Sequence, residues 1–160
     1  MPGTVSVYPG AKELNGMTTP AKARQGSTWL QTSPVDFSHN ITGAERADER
    51  ISEVEELKIP FPGVWEISYH ARSYTAGTAT VNSFAHTALF KNGNLILGTE
   101  AVTGGNATLQ TTAGQTVLEK FDVNDVITLH AYRIGTNDVA VLSNGDGRTG
   151  VMAHWVSPGF

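Results

Sequence analysis

Hydrophobic and polar residues alternate most strictly along Gly63-Val64-Trp65-Glu66-Ile67-Ser68-Tyr69-His70-Ala71-Arg72. Trp65, Ile67, Tyr69 and Ala71 fall on one phase of a period-two repeat, and Glu66, Ser68, His70 and Arg72 on the other. This is the pattern of a strand with one buried and one solvated face. Pro60, Pro62 and Gly63 stand directly before it, so the chain turns or follows an edge before entering the sheet. Downstream, short apolar runs follow one another with turn signals between them, which predicts an all-β sandwich or barrel. Strands are expected over 84–91, 95–97, 116–121, 126–134, 139–142 and 149–156, with a Thr-rich strand before the break at Ala113-Gly114-Gln115. Asn92-Gly93-Asn94 predicts a tight hairpin, because Asn-Gly tolerates the positive φ that such turns require.

Upstream, the pattern is less regular. Trp29, Leu30, Val35 and Phe37 predict a first strand on either side of Pro34. In 42–57 a helix competes: Thr42 and Glu45 have the spacing of a capping box, and Ala44, Ala47, Ile51 and Val54 recur at near-helical intervals. The many charges of this segment read as a solvated face. Residues 1–26 hold four glycines and three prolines without periodicity and read as an extended arm; 27–160 form the folded domain. An arm of this composition buries too little apolar surface to order itself and needs an external partner.

The ordered set of Pro62-Gly63-Val64-Trp65-Glu66-Ile67-Ser68-Tyr69-His70, Leu89-Phe90-Lys91-Asn92-Gly93, Val117-Leu118 with Asn124-Asp125-Val126, and Gly150-Val151-Met152 resembles the jelly-roll family shared by the complement subcomponent q globular head and the tumour necrosis factor ligands. It spans about residues 55 to 160. Two departures stand out: there is no collagen-like Gly-X-Y stalk, and Asn124 occupies a position where the family usually has glycine. The resemblance implies a jelly-roll sandwich of about ten strands that assembles as a trimer. It also implies that strands 84–91, 126–134 and 149–156 lie side by side in the sheet facing the trimer axis.

The residues bear on that expectation, because these three strands carry apolar side chains on both phases. A second apolar face in water is an aggregation liability, so it reads as a subunit interface. The expected trimer interface is Phe84, His86, Ala88, Phe90, His130, Tyr132, Met152, His154 and Val156. Among these, His86, His130 and His154 are candidate metal ligands or pH-sensitive groups near a threefold axis. Their spacing shows no metal signature, so a hydrogen-bonding role is the simpler expectation and no cofactor is assigned.

Composition narrows the function classes. With no cysteine, disulfide-dependent secreted scaffolds are excluded. A net charge of −4 argues against nucleic-acid partners, and no apolar run is long enough to span a membrane as a helix. Met1–Gly10 has neither the basic nor the apolar stretch of a signal peptide. No G-x-S-x-G elbow or calcium-hand spacing occurs, so the chain reads as a non-enzyme, with Asp146 in a plain turn. The expected function is a virion structural protein located on the virion surface, a capsid-decoration or fibre-head homotrimer docked by residues 1–26 onto a larger protein assembly such as a capsid surface. The alternative is a cell-surface recognition module that binds carbohydrate or protein through loops at one end of the sandwich.

Overall fold

The computed structural model describes residues 29–159. The expected arm at 1–26 lies outside them. Along the chain run β1 (Trp29–Gln31), β2 (Asp36–Asn40), β3 (Glu49–Arg50), β4 (Leu57–Lys58), β5 (Gly63–Ala76), β6 (Ser83–Lys91), β7 (Asn94–Leu95), β8 (Ala101–Gly105), β9 (Thr108–Phe121), β10 (Val126–Ile134), β11 (Val139–Asn144) and β12 (Gly150–Ser157). All paired strands are antiparallel, and they form two six-stranded sheets packed face to face.

The alternating strand extends further than its sequence pattern, to Ala76, and organises the first sheet. β9 runs along one side of it for its full length, while on the other side β12 pairs with 64–70 and β11 with 72–75. Thus β11 and β12 act as one strand interrupted by the turn at 145–149, with β1 and β2 completing the sheet beyond them. Trp65, Ile67 and Ala71 are almost fully buried, as the alternation requires. Tyr69 is also inside. Its hydroxyl lies 2.9 Å from the Thr87 carbonyl and 2.7 Å from the Thr99 carbonyl, which tie it to the second sheet. Burial pushes its pKa up to about 12.

In the second sheet β6 lies between β10 and the short strands β7 and β8, and β3 and β4 pair with the far side of β10. Ala85 and Leu89 of β6 join Ile127, Leu129 and Ala131 of β10 in the shared core.

Three sequence expectations change. The segment 42–57 contains no helix: Thr42 N–H meets Glu49 (3.4 Å), while Glu45 accepts from Gly135 N–H (3.1 Å), so the capping box is not closed. Ile51 and Val54 instead point into the core, 0% and 3% exposed, which local helical spacing imitates over so short a span. Gly114 does not break the Thr-rich strand; β9 runs unbroken from Thr108 to Phe121. A Cβ at Gly114 would collide with the Tyr69 carbonyl of β5, so glycine is there for close backbone approach.

The third correction concerns the expected interface. β12 belongs to the first sheet, not beside β6 and β10. Its Val151 and Ala153 lie opposite Tyr69 and Ile67, matching small against large on the core side. The apolar Val156 that blurred its phase sits where the register shifts between Trp155 and Ser157, a bulge that resets the alternation.

Candidate interaction surfaces

The nine expected interface residues fall on two surfaces. Phe84, His86, Ala88, Phe90, His130 and Tyr132 share the outer face of the second sheet, because Phe84 pairs with Ile134, His86 with Tyr132, Ala88 with His130 and Phe90 with Thr128. Met152, His154 and Val156 lie on the solvent side of the first sheet. The three histidines therefore do not form one group, and among the described residues no cluster of three or more His, Cys, Asp or Glu side chains could hold a metal ion.

On the second sheet the aromatic rings cover one another. His86 stacks on Tyr132 with centroids 4.0 Å apart and planes 11° from parallel; Phe90 stacks on His130, also at 4.0 Å and 18°. His86 is 4% exposed, Ala88 0% and Phe90 8%. His86 Nε2 lies 3.0 Å from Glu100, and His130 Nε2 3.0 Å from the Thr128 hydroxyl, but the Nδ1 atoms of both are buried without a hydrogen-bond partner. Burial lowers the His130 pKa, the nearby Asp48 charge opposes this, and Arg50 reinforces it. A neutral imidazole suits this stack.

The first sheet is open by comparison. Trp29, His154, Glu66 and Leu118 stand level across four strands, followed by a row of Gln31, Met152, Ser68 and Thr116. Leu118 is 63% exposed and Val156 48%. One row further, His70 stands between Gly150 and Gly114, and its Nε2 lies 2.5 Å from the Gly147 carbonyl, anchoring the 145–149 turn over the sheet. Within that turn Asp146 binds Arg148 Nε at 2.8 Å and accepts from Arg148 N–H, so its carboxylate is occupied by its own loop.

No family model and no curated protein matches this sequence. Among solved structures, the Eiger tumour necrosis factor from S. frugiperda matches it with a TM-score of 0.55 at 4% identity, covering 82% of this chain and 94% of that one. The fold is a tumour-necrosis-factor-like jelly roll. At that identity the likeness speaks for the fold alone.

Within this jelly roll the sequence signatures around Asn92 and Asp125 are structural. Asn92 donates to Asp125 (2.7 Å) and accepts from Val126 N–H (2.9 Å), while the Asp125 carboxylate also receives Asp122 N–H at 2.8 Å. Lys91 reaches Glu119 at 3.3 Å and the Lys120 carbonyl at 2.6 Å, and lies 4.8 Å over the Phe121 ring. Asn124 has φ of 70°, a conformation asparagine tolerates better than most residues bearing a Cβ, which accounts for asparagine at a position where the resembled family usually has glycine.

One cluster escaped the sequence. His39 of β2 lies between two carboxylates, with Nδ1 2.7 Å from Glu53 and Nε2 2.9 Å from Glu49. Hydrophobic periodicity is blind to it, since the contact joins edge strands of different sheets and depends on the pairing of β2 with β11 and β3 with β10.

Proposed function

We propose that this chain is a non-enzymatic structural protein that assembles as a homotrimer, and that the assembly it joins is a virion surface, as a capsid-decoration or fibre-head trimer held through residues 1–26. The observation that carries the trimer is the open outer face of the first sheet. Leu118 and Val156 lie within two register positions of each other on strands flanking β5, Leu118 beside Glu66 and Val156 at the bulge near Val64. A sheet face left to water ordinarily presents polar side chains, and two large apolar side chains left exposed close together among polar ones support a contact there. Burying them against another copy recovers about 25 cal/mol for each Å² of apolar area removed from water. The stacked face of the second sheet has much less to gain, since its rings are already covered within one chain. We accordingly propose the interface on the first sheet, around Trp29, Met152, His154 and Leu118.

Attachment through 1–26 rests on composition: three weakly binding arms on one trimer would act together through their effective concentration. Sedimentation of the full chain at micromolar concentration should give three times the 17.1 kDa chain mass. Leu118→Asp should shift it toward monomer without changing the β-sheet circular dichroism signal. A stable monomer of the unaltered chain would overturn the reading.

A recognition role is favoured by one feature. The Asn92–Asp125 contact gathers the 92–93 and 122–125 turns at one end of the sandwich, where Val123 is 52% exposed. Ligand binding there by a chain lacking 1–26 would favour this second reading.

A further inference from the structure

The cluster around His39 is built so that one proton completes it. β2 is the outermost strand on its side of the first sheet, and β3 is outermost on the same side of the second. His39 spans the seam between them. Glu49 comes from β3 and Glu53 from the turn after it. The backbone fixes the Glu49 carboxylate, since Gly43 N–H donates to it at 2.8 Å, and the Ser52 hydroxyl lies 3.2 Å from Glu53. Behind the cluster, Ile41, Ile51 and Val54 close the core, each no more than 5% exposed.

An imidazole has two ring nitrogens, and in its neutral form only one carries hydrogen. Here each nitrogen faces a different ionised carboxylate, which can only accept. Both contacts are satisfied when the ring is an imidazolium. Removal of the proton leaves a nitrogen lone pair directed at a carboxylate. We propose that His39, Glu49 and Glu53 form a proton-dependent clasp that holds the two sheets together along the β2–β3 seam and loosens that seam when His39 loses its proton.

The other groups facing the cluster support this reading. Val141 of β11 pairs with His39 and is apolar, the 41–43 segment offers backbone N–H donors, and the charges acting on His39 are those of Glu53 and Glu49. Partial burial opposes the charged ring, but the two hydrogen bonds and charges outweigh it, and the His39 pKa is raised above 6.5. For Glu53, burial likewise opposes ionisation, yet the bond to His39 leads the effects that lower its pKa below 4.5. A raised imidazole contributes stability that is fully present below 6.5 and lost as pH rises through its folded value. A lowered carboxyl contributes stability present above 4.5 and lost as pH falls through its folded value. The clasp is therefore strongest in mildly acidic solution and fails first on the alkaline side.

Two measurements on the full chain test this. Nuclear magnetic resonance titration of the His39 ring should place its midpoint above 6.5. Hydrogen exchange corrected for intrinsic rates should show amides in 39–43 and 49–54 losing protection between pH 6 and pH 8.5, by up to about tenfold for each unit by which that midpoint exceeds 6.5. In Glu53→Gln the midpoint should fall and the pH dependence of protection should shrink. A midpoint at or below 6.5, equal protection at both pH values, or unchanged pH dependence in Glu53→Gln would each overturn the clasp. The first two readings need no variant, so a poorly folding substitution cannot mask the answer.

Discussion

At the scale of single residues, the side chains that matter most are those whose identity is forced by a neighbour across the fold. Gly114 is one. Because a Cβ there would strike the Tyr69 carbonyl, Gly114→Val should separate β9 from β5 and destabilise the domain by about 2 kcal/mol or more, as overpacking does; urea denaturation measures this directly. His130 is another, and its sign is opposite to that of His39. With its pKa lowered in the fold, the unfolded chain binds the proton more readily, so its contribution is present above 6.5 and lost as pH falls below it. His130→Phe keeps a ring on Phe90 without a titrating group. Its thermal midpoint should fall less than that of the unaltered chain between pH 7 and pH 5, whereas an identical fall would mean that the stack does not control acid sensitivity. Sequence alone located His130 on the outer phase of its strand. It could not show that Phe90 covers it, because stacking is a diagonal contact between strands whose register is not written in either one.

At the scale of elements, legibility followed periodicity. β5 was readable because its alternation repeats long enough to exclude other periods, while β6, β10 and the Asn92-Gly93 hairpin were readable as short apolar runs bounded by turn signals. Asn92 and Gly93 both take positive φ, 50° and 81°. The short pairs β3 and β4 were not readable, since two residues contain no period and the tertiary partner β10 decides their structure. The same hairpin contains a testable join: Asn92→Ala would remove the bonds to Asp125 and Val126 and place alanine at positive φ. A loss of about 1–3 kcal/mol is expected, combining the unsatisfied partners with backbone strain. Chemical denaturation showing no change would mean that the 92–93 and 122–125 turns are held together by other contacts.

For the whole molecule, the sequence led to the right fold class and to a surface divided wrongly. A second apolar phase was detected in three strands, but only pairing topology assigns strands to sheets, and it separates β12 from β6 and β10. The two surfaces can now be distinguished by paired substitutions. Phe90→Asp should reduce folding stability more than assembly, because Phe90 is 8% exposed and stacked within one chain. Leu118→Asp should do the reverse. Sedimentation and thermal unfolding of both variants give the comparison, and the opposite ranking would move the proposed interface to the second sheet. Deletion of 1–26 should leave a folded trimer that no longer joins its larger assembly; if the shortened chain still attaches, docking belongs to the sandwich.

The turn at 145–149 has an evolutionary consequence. β11 ends and β12 begins against the same partner strand, so the chain leaves the sheet at Asn144 and returns at Gly150 with its place along β5 already fixed on both sides. Extra residues at Asp146 need not alter any strand's register, and doubling the length of such a loop costs only about 0.6 kcal/mol in closure entropy. The excursion is thus a site where lineages can lengthen or rewrite an exposed segment while the sandwich beneath is inherited unchanged. A short epitope inserted after Asp146 would be displayed there at little cost to the fold.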